Sequence, residues 1–139
     1  RIKQIDIIDI RCYSEIRRIS IFDKRSDAMA RAKFQTLTEQ MFYILLCLRQ
    51  ECCGMDIMEK VRVMTEGRVN IGPGTLYNLL DQFSQAEMIV ETKVEGRRKS
   101  YILTEIGKEA LRAEYERICG QAADYRRYME VQENEKGEA

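Results

Sequence analysis

The stretch GPGTLYNLLDQF, residues 72–83, predicts a helix with a sharp beginning. Gly72 suits the N-cap, and Pro73 suits the first helical position, where its missing N–H costs nothing. Four apolar residues then fall in one stripe of a helix that turns by about 100° per residue, so we expect them to be buried. These residues are Leu76, Leu79, Leu80 and Phe83.

The opposite face of this helix carries small and amide side chains and a single acid. It consists of Gly74, Asn78, Asp81 and Gln85, with Thr75 and Tyr77 on its flanks. Because the free N–H groups and the dipole at a helix N-terminus favour anions, this face suits a closely approaching partner that carries phosphate. The alternative is an ordinary amphipathic helix whose exposed face binds nothing.

The composition is that of one helical domain. The chain has 139 residues, of which 45% are apolar, with one proline and a net charge of zero, so nucleic-acid binding would depend on a local basic patch. Five cysteines and no recognisable secretory leader predict free thiols in a reducing cytoplasm. The longest apolar run, residues 41–48, is too short to span a membrane.

The N-terminal segment, residues 1–35, differs from the rest in being rich in isoleucine and arginine. An amphipathic helix fits its apolar spacing, although a strand fits part of it, and the apolar positions are Ile5, Ile8, Cys12, Ile16 and Ile19. Met29 opens a segment that resembles a natural start. We therefore interpret residues 1–28 either as a non-native extension or as a native helix that packs on a partner.

Two further helices are predicted before the central one. Thr36 and Glu39 have capping-box spacing, and helical periodicity follows over residues 38–50. Residues 51–54 break that helix. A short second helix then buries Ile57, Val61 and Met64 and ends at a glycine, and an extended piece at residues 68–71 leads into the central helix.

A β-hairpin with a basic tip follows the central helix. Residues 89–94 alternate as a strand, residues 95–98 form a turn, and residues 99–103 return with Tyr101 and Leu103 on one face. The hairpin cations are Lys93, Arg97, Arg98 and Lys99. The alternative to a functional role is that these cations are merely solvated.

The last helix is predicted to begin after a capping Thr104 and to carry a heptad seam. The seam residues repeat at spacings of four and three, and they are Leu111, Tyr115, Ile118, Ala122, Tyr125 and Met129. Residues 133–139 are polar and are expected to fray. Since a small domain cannot bury a stripe of this length alone, we expect the seam to form a dimer.

Three helices followed by a two-stranded hairpin predict a winged helix-turn-helix: a mainly α fold with a small β-hairpin and a C-terminal dimerisation helix. The predicted domains are an N-terminal extension at residues 1–35, a DNA-binding domain at residues 36–104 and a dimerisation helix at residues 105–139.

Three segments resemble the PadR-like family of bacterial transcription regulators, in its short-tailed branch. They are LTEQMFYILLCL, GPGTLYNLLDQF and GRRKSYILTEIGKEAL, and the resemblance covers about residues 36–111. The sequence departs from the family at residues 85–88, where relatives commonly have a glycine.

The resemblance implies which residues meet DNA. Tyr77 should contact a phosphate, and Thr75 and Asn78 should lie near base edges. Gly72 and Gly74 lie at the helix N-terminus that approaches the DNA. The hairpin cations Lys93, Arg97, Arg98 and Lys99 should meet the backbone or minor groove.

We therefore expect a cytoplasmic, homodimeric repressor that binds double-stranded DNA at a pseudo-palindromic operator. A small aromatic effector between the two tails, near Ala122, would release it. No enzyme activity, cofactor, metal or membrane association is expected. Two alternatives remain: a winged-helix module that binds protein rather than DNA, and a thiol-based redox sensor that uses Cys52 and Cys53.

Overall fold

The computed structural model of this chain describes residues 36–137, with the backbone alone for residues 132–136. Its elements, in chain order, are α1 Glu39–Cys47, β1 Cys52–Cys53, α2 Gly54–Met64, α3 Pro73–Gln85, β2 Ile89–Glu95, β3 Arg98–Leu103 and α4 Glu105–Gly137. The helix predicted around residues 5–19 lies outside the described residues. Residues 36–114 belong to one compact unit, and residues from 115 onward belong to a second.

The sheet has three antiparallel strands in the order β1-β3-β2. The hairpin was predicted, but β1 was not: Cys52 pairs with Tyr101 and Cys53 pairs with Ser100. Residues 51–54 lie at the break between the first two helices, as predicted, but the strand formed by the two cysteines was not predicted. Two residues are too few to show the alternation by which a strand is recognised in a sequence.

Helix α1 is shorter than predicted at both ends. Its N-cap is Thr38, whose Oγ1 accepts a hydrogen bond from the Met41 N–H at 3.3 Å. The predicted capping box of Thr36 and Glu39 is wrong, because the Glu39 carboxylate pairs with Arg68 instead. The helix ends at Cys47 rather than near residue 50, since the Leu48 carbonyl accepts a hydrogen bond from the Leu103 N–H of β3.

Helix α2 buries Ile57 and Val61 as predicted, but Met64 is exposed. The buried position at that end is taken by Thr65, whose hydroxyl donates to the Val61 carbonyl at 2.8 Å. The same hydroxyl oxygen accepts from the Val69 N–H at 3.1 Å, so it closes the turn that leads away from the helix.

Helix α3 confirms the prediction made for residues 72–83. Gly72 is the N-cap, Pro73 begins the helix, and the whole predicted stripe is buried. This stripe packs in one core with residues from α1, α2, the sheet and the adjoining turns, including Ile44, Leu45, Leu48, Ile57, Val61, Met88, Ile89, Tyr101 and Leu103.

The hairpin turns at Gly96 and Arg97, between the paired residues Glu95 and Arg98. Gly96 has a φ of 63°, which fits the first central position of a tight two-residue turn. The register shifts between Glu91 and Lys93, so β2 contains a bulge there.

The turn after α3 closes as a Schellman motif without glycine. The Met88 N–H donates to the Phe83 carbonyl at 2.9 Å, and the Glu87 N–H donates to the Ser84 carbonyl at 3.1 Å. This geometry places Glu87 in the left-handed region, with a φ of 58°. Glu87 lies within residues 85–88, where the family resemblance led us to expect a glycine.

Replacing Glu87 by glycine is expected to raise the free energy of unfolding by about 0.5–1 kcal/mol. The left-handed conformation costs a residue with a Cβ about 1–2 kcal/mol, and the greater unfolded-state entropy of glycine offsets part of that gain. Urea denaturation measures the change. Gln85→Gly, inside the last turn of α3, is the matched control and should lower stability; stabilisation by both variants would contradict the explanation.

Helix α4 begins as predicted, because Thr104 Oγ1 accepts from the Gly107 N–H at 3.2 Å. The Thr104 hydroxyl also donates to the Glu87 carbonyl at 2.5 Å, which joins this helix to the turn after α3. Farther along, a buried Glu114 carboxylate accepts from the Leu37 N–H at 3.2 Å. The helix continues to Gly137, through residues that were predicted to fray.

None of the helices in the described part of the chain has both the length and the apolar character needed to cross a membrane.

Candidate nucleic-acid interface

The N-terminus of α3 is open to an anion. Its N-cap is Gly72, and among residues 36–137 no side chain caps it. Gly72 and Gly74 are both exposed, and no described atom beyond the local backbone lies within 4 Å of where a Cβ would be. Within this part of the chain, the N–H groups of the first turn therefore point out of the helix without a side-chain cap. A phosphate can approach the backbone here closely, as it does at other helix N-termini.

The exposed face of α3 contains the predicted side chains. Thr75 and Asn78 are exposed, and Tyr77 is 45% exposed. One edge of the Tyr77 ring packs beside Gly54 at the start of α2, where an added Cβ would lie 3.6 Å from the ring and 3.3 Å from Leu80. Sequence reasoning missed this role of Gly54, which permits α2 to approach α3 and supports one side of the tyrosine.

Three of the four predicted hairpin cations pair with carboxylates of the same chain, which sequence reasoning also missed. The ammonium of Lys99 lies 3.2 Å from Glu91 across the hairpin. The two other pairs, at 3.4 Å each, join the hairpin to the segment before β1 and to α2, and they are Lys93 with Glu51 and Arg98 with Asp56.

Electrostatic shifts follow from these contacts. Interaction with the Cys53 side chain, followed by the charge of Asp56, raises the pKa of Arg98. A hydrogen bond and the charge of Glu91 raise the pKa of Lys99. All three ion pairs are well exposed, so they stabilise the fold little and a DNA phosphate can replace the carboxylate.

Arg97 lies at the hairpin tip and differs from its neighbours. It is exposed, and it has no ion pair within residues 36–137. Of the cations on the hairpin it is therefore the one whose charge is already free for a phosphate.

Helix α3 and the hairpin come together at Tyr101. Burial raises the pKa of this tyrosine, and the nearby charges of Lys99, Glu91 and Asp81 act on it as well. The Tyr77 ring of α3 and the Tyr101 ring of β3 both lie beside Gly54, at 3.6 Å and 3.7 Å from where its Cβ would be, so this part of α3 and the base of the hairpin are adjacent.

The predicted dimerisation residues divide along α4. Leu111 packs against the core of the first unit. In the second unit Tyr115 is half-buried, Ile118 is 40% exposed, Tyr125 is 67% exposed, and both Ala122 and Met129 are exposed. An apolar stripe on the outer part of the helix is therefore open to solvent.

The described cysteines are free thiols: Cys47, Cys52, Cys53 and Cys119. Cys52 is buried and Cys53 is half-buried, and both belong to β1. Burial raises the pKa of Cys47 to about 11, so this thiol is neutral at pH 7 and a poor nucleophile. No group of three or more potential metal ligands occurs among the described residues.

Three packed helices, a hairpin beside the exposed face of the third, and an uncapped third helix define a winged helix-turn-helix protein. The model of the transcriptional regulator PadR-like family matches residues 44–113, which is half of the chain. The chain belongs to this family of DNA-binding transcription regulators. None of the curated proteins matches the sequence.

Solved structures agree with this fold. RosR of H. salinarum has a TM-score of 0.53 at 22% identity, covering 73% of this chain and 94% of RosR. A RosR complex designated RosR-S4 has a TM-score of 0.55 at 22% identity, covering 81% and 96%. A transcriptional regulator of Clostridium thermocellum, Cth-833, has a TM-score of 0.50 at 19% identity, covering 67% and 90%. At these identities the similarity shows the fold alone.

Proposed function

We propose that this regulator binds a pseudo-palindromic operator as a homodimer, with α3 in the major groove and the hairpin on the flanking backbone. The observation that carries the proposal is the exposed, nearly acid-free face of α3 with glycine at its N-cap, together with an exposed Arg97 at the hairpin tip. Residues 36–104 would form the DNA-binding domain and residues 105–139 the dimerisation helix. Thr75 and Asn78 would meet base edges, while Tyr77 and the hairpin cations would hold phosphates.

We further propose that the protein is a cytoplasmic repressor that a small molecule releases. Two tails paired through Ile118, Tyr125 and Met129 would fix the distance between the two α3 helices. A ligand that changes this distance would change DNA affinity, by reciprocal coupling between the two sites. The small Ala122 between larger seam residues supports a space for an aromatic effector at the dimer centre.

Selection of bound sequences from random duplex DNA, followed by a binding titration, tests the proposal. A selected site should bind in the nanomolar range at physiological salt and much more tightly than random DNA. Equal affinity for the selected and random duplexes would refute a sequence-specific regulator.

Changing Tyr77 to phenylalanine is expected to weaken operator binding by about 1 kcal/mol, or roughly fivefold, because one hydrogen bond to a phosphate is lost. Fluorescence anisotropy with the selected operator measures the effect. Tyr128→Phe removes a hydroxyl from an exposed tail tyrosine outside the predicted seam and should leave DNA affinity unchanged. If Tyr77→Phe binds the operator as tightly as the wild type, the Tyr77 hydroxyl does not contact a phosphate.

The two arginines at the hairpin tip are expected to differ in their contribution to the salt dependence of binding. Arg97→Ala should flatten the slope of log K against log salt by about 1, as expected for one lost phosphate contact. Arg98→Ala should flatten it by less, since Asp56 already neutralises part of that charge. Both variants should weaken binding to the operator and to random DNA by the same factor. Arg62→Ala on α2 is the control and should leave the slope unchanged.

The same titration separates DNA binding from the rival protein-interaction module, which the zero net charge and the paired hairpin cations favour. Phosphate contacts require a steep salt slope in the wild-type protein, and a flat slope would favour the module. A loss confined to the specific operator in Arg97→Ala would instead mean that the hairpin tip reads bases.

A further inference from the structure

A groove of about 740 Å³ lies between the end of α1 and the outer side of α2, within the compact unit of residues 36–114. Leu46 and three methionine or valine side chains of α2 supply its apolar wall. Met55 is 53% exposed, Val63 is 62% exposed, and Met64 is also exposed. Large apolar side chains clustered at the surface indicate a binding site more often than isolated ones do.

The size and lining of the groove favour a flexible apolar ligand. Its volume is within the range of pockets that hold small molecules. The lining contains methionine, leucine and valine but no aromatic residue, so ring stacking is not available to a ligand. Methionine side chains adapt to the shape of an alkyl chain.

The charges around the groove do not cancel. Glu59 is engaged by Arg62 of the same helix through two hydrogen bonds, at 2.9 and 2.6 Å. Asp56 pairs with Arg98 of the hairpin at 3.4 Å. The two lining cations Arg49 and Lys60 have no ion pair with a carboxylate within the described range, so the groove presents two available positive charges.

At neutral pH the groove keeps its positive charge, because its lysine is protonated and its cysteine is not ionised. Interaction with the Cys52 side chain raises the pKa of Lys60, so its amine stays protonated. Cys47 also lines the groove, and burial raises its pKa to about 11. Its thiol is therefore neutral and does not repel an anion.

We propose that this groove binds a small carboxylate with an alkyl tail, of the medium-chain fatty-acid class. The tail lies along Met55, Val63 and Met64, and the carboxylate is held by Lys60 and Arg49. The groove is distinct from the centre of the proposed dimer, and its ligand class differs from the aromatic effector considered there.

The groove is connected to the proposed DNA-binding surface through Asp56. This carboxylate is four residues before Lys60 on α2, so the two side chains are neighbours on the helix surface, and it pairs with Arg98 of the hairpin at 3.4 Å. A bound carboxylate neutralises the charge of Lys60. Asp56 then interacts with Arg98 alone, and the ion pair between Asp56 and Arg98 becomes stronger. Arg98 is then less available to a phosphate, and the ligand lowers DNA affinity. This connection rests on the proposed function.

Titration of the full chain with decanoate, followed by NMR of methionine methyl groups, tests the groove. Decanoate should shift the Met55 and Met64 signals with saturation below 1 mM, and decanol should bind more weakly by about fivefold because it lacks the charge. The double variant Lys60→Gln, Arg49→Gln should weaken the binding of decanoate by a similar factor and leave the binding of decanol unchanged. Lys108→Gln, which removes an exposed cation elsewhere, is the control.

A second variant tests the tail of the ligand. Val63→Glu places a carboxylate against the alkyl chain and should abolish binding, whereas Val90→Glu on β2 should not. No saturable shift up to 1 mM, or shifts confined to the outer part of α4, would overturn the proposal. Contacts of Met55 or Met64 with residues 1–35 or with a second copy would also overturn it, because the groove would then hold protein.

The connection to DNA is measured separately, by operator titrations at low salt with and without saturating decanoate. The ligand should weaken binding about threefold, and Asp56→Asn should bind decanoate but lose this response. An unchanged DNA affinity in the wild type would overturn the connection. If the protein binds no DNA at all, the proposed function fails, while the decanoate titration still decides the groove.

Discussion

Replacing Gly107 by alanine is expected to destabilise the winged-helix unit by about 3 kcal/mol or more. An alanine Cβ would lie 2.0 Å from the Met88 carbonyl oxygen and 3.0 Å from Leu103. The same oxygen accepts the Thr104 N–H at 3.0 Å, so it cannot move without losing a hydrogen bond. Since the clash is with backbone, no side-chain rotation relieves it.

Thermal unfolding measured by circular dichroism should show the loss as a fall in Tm of about 10 °C or more. Gly74→Ala is the matched control, because a Cβ there has no atom within 4 Å and alanine stabilises a helix relative to glycine. It should raise the free energy of unfolding by about 0.5–1 kcal/mol. A Gly107→Ala protein as stable as the wild type would mean that α4 does not begin this close to the turn after α3.

Ile118→Asp is expected to convert the protein to monomers and to abolish operator binding. The exposed apolar stripe of α4 needs a partner surface, and a carboxylate at its centre cannot be buried there without a large penalty. A monomer engages one half-site at a time, so apparent affinity should fall by 100-fold or more. Light scattering and anisotropy on the same samples measure both effects.

Ala123→Asp is the control for this variant, because it adds the same charge on the opposite side of the heptad. It should remain dimeric and bind DNA normally. If Ile118→Asp stays dimeric, the interface lies elsewhere, and residues 1–35 become the first place to search for it.

Much of the fold could be predicted from the sequence, because its main elements have strong local signals. The α3 stripe, the glycine-containing hairpin turn and the Thr104 cap each involve residues within a few positions of one another. The bounds of α1 could not be predicted in the same way. They depend on the ion pair between Arg68 and the Glu39 carboxylate and on the hydrogen bond from β3 to the Leu48 carbonyl. Both partners are distant in the sequence.

In the candidate site, too, the local features could be predicted from the sequence and the contacts between distant residues could not. Composition and helical spacing identified the exposed face of α3, since that face is a local property of one helix. The pairing of Arg98 with Asp56 and of Lys93 with Glu51 joins residues about 42 positions apart, and a charge pattern carries no signal for such pairs. The role of Gly54 beside Tyr77 depends on a helix–helix contact in the same way.

The footprint of the protein on a selected operator tests the central claim most directly. Two α3 helices related by a two-fold axis must enter successive major grooves, so the protected site should be pseudo-palindromic, with half-sites roughly 34 Å apart and two chains per duplex. A single asymmetric half-site bound by one chain would contradict a dimeric winged-helix regulator.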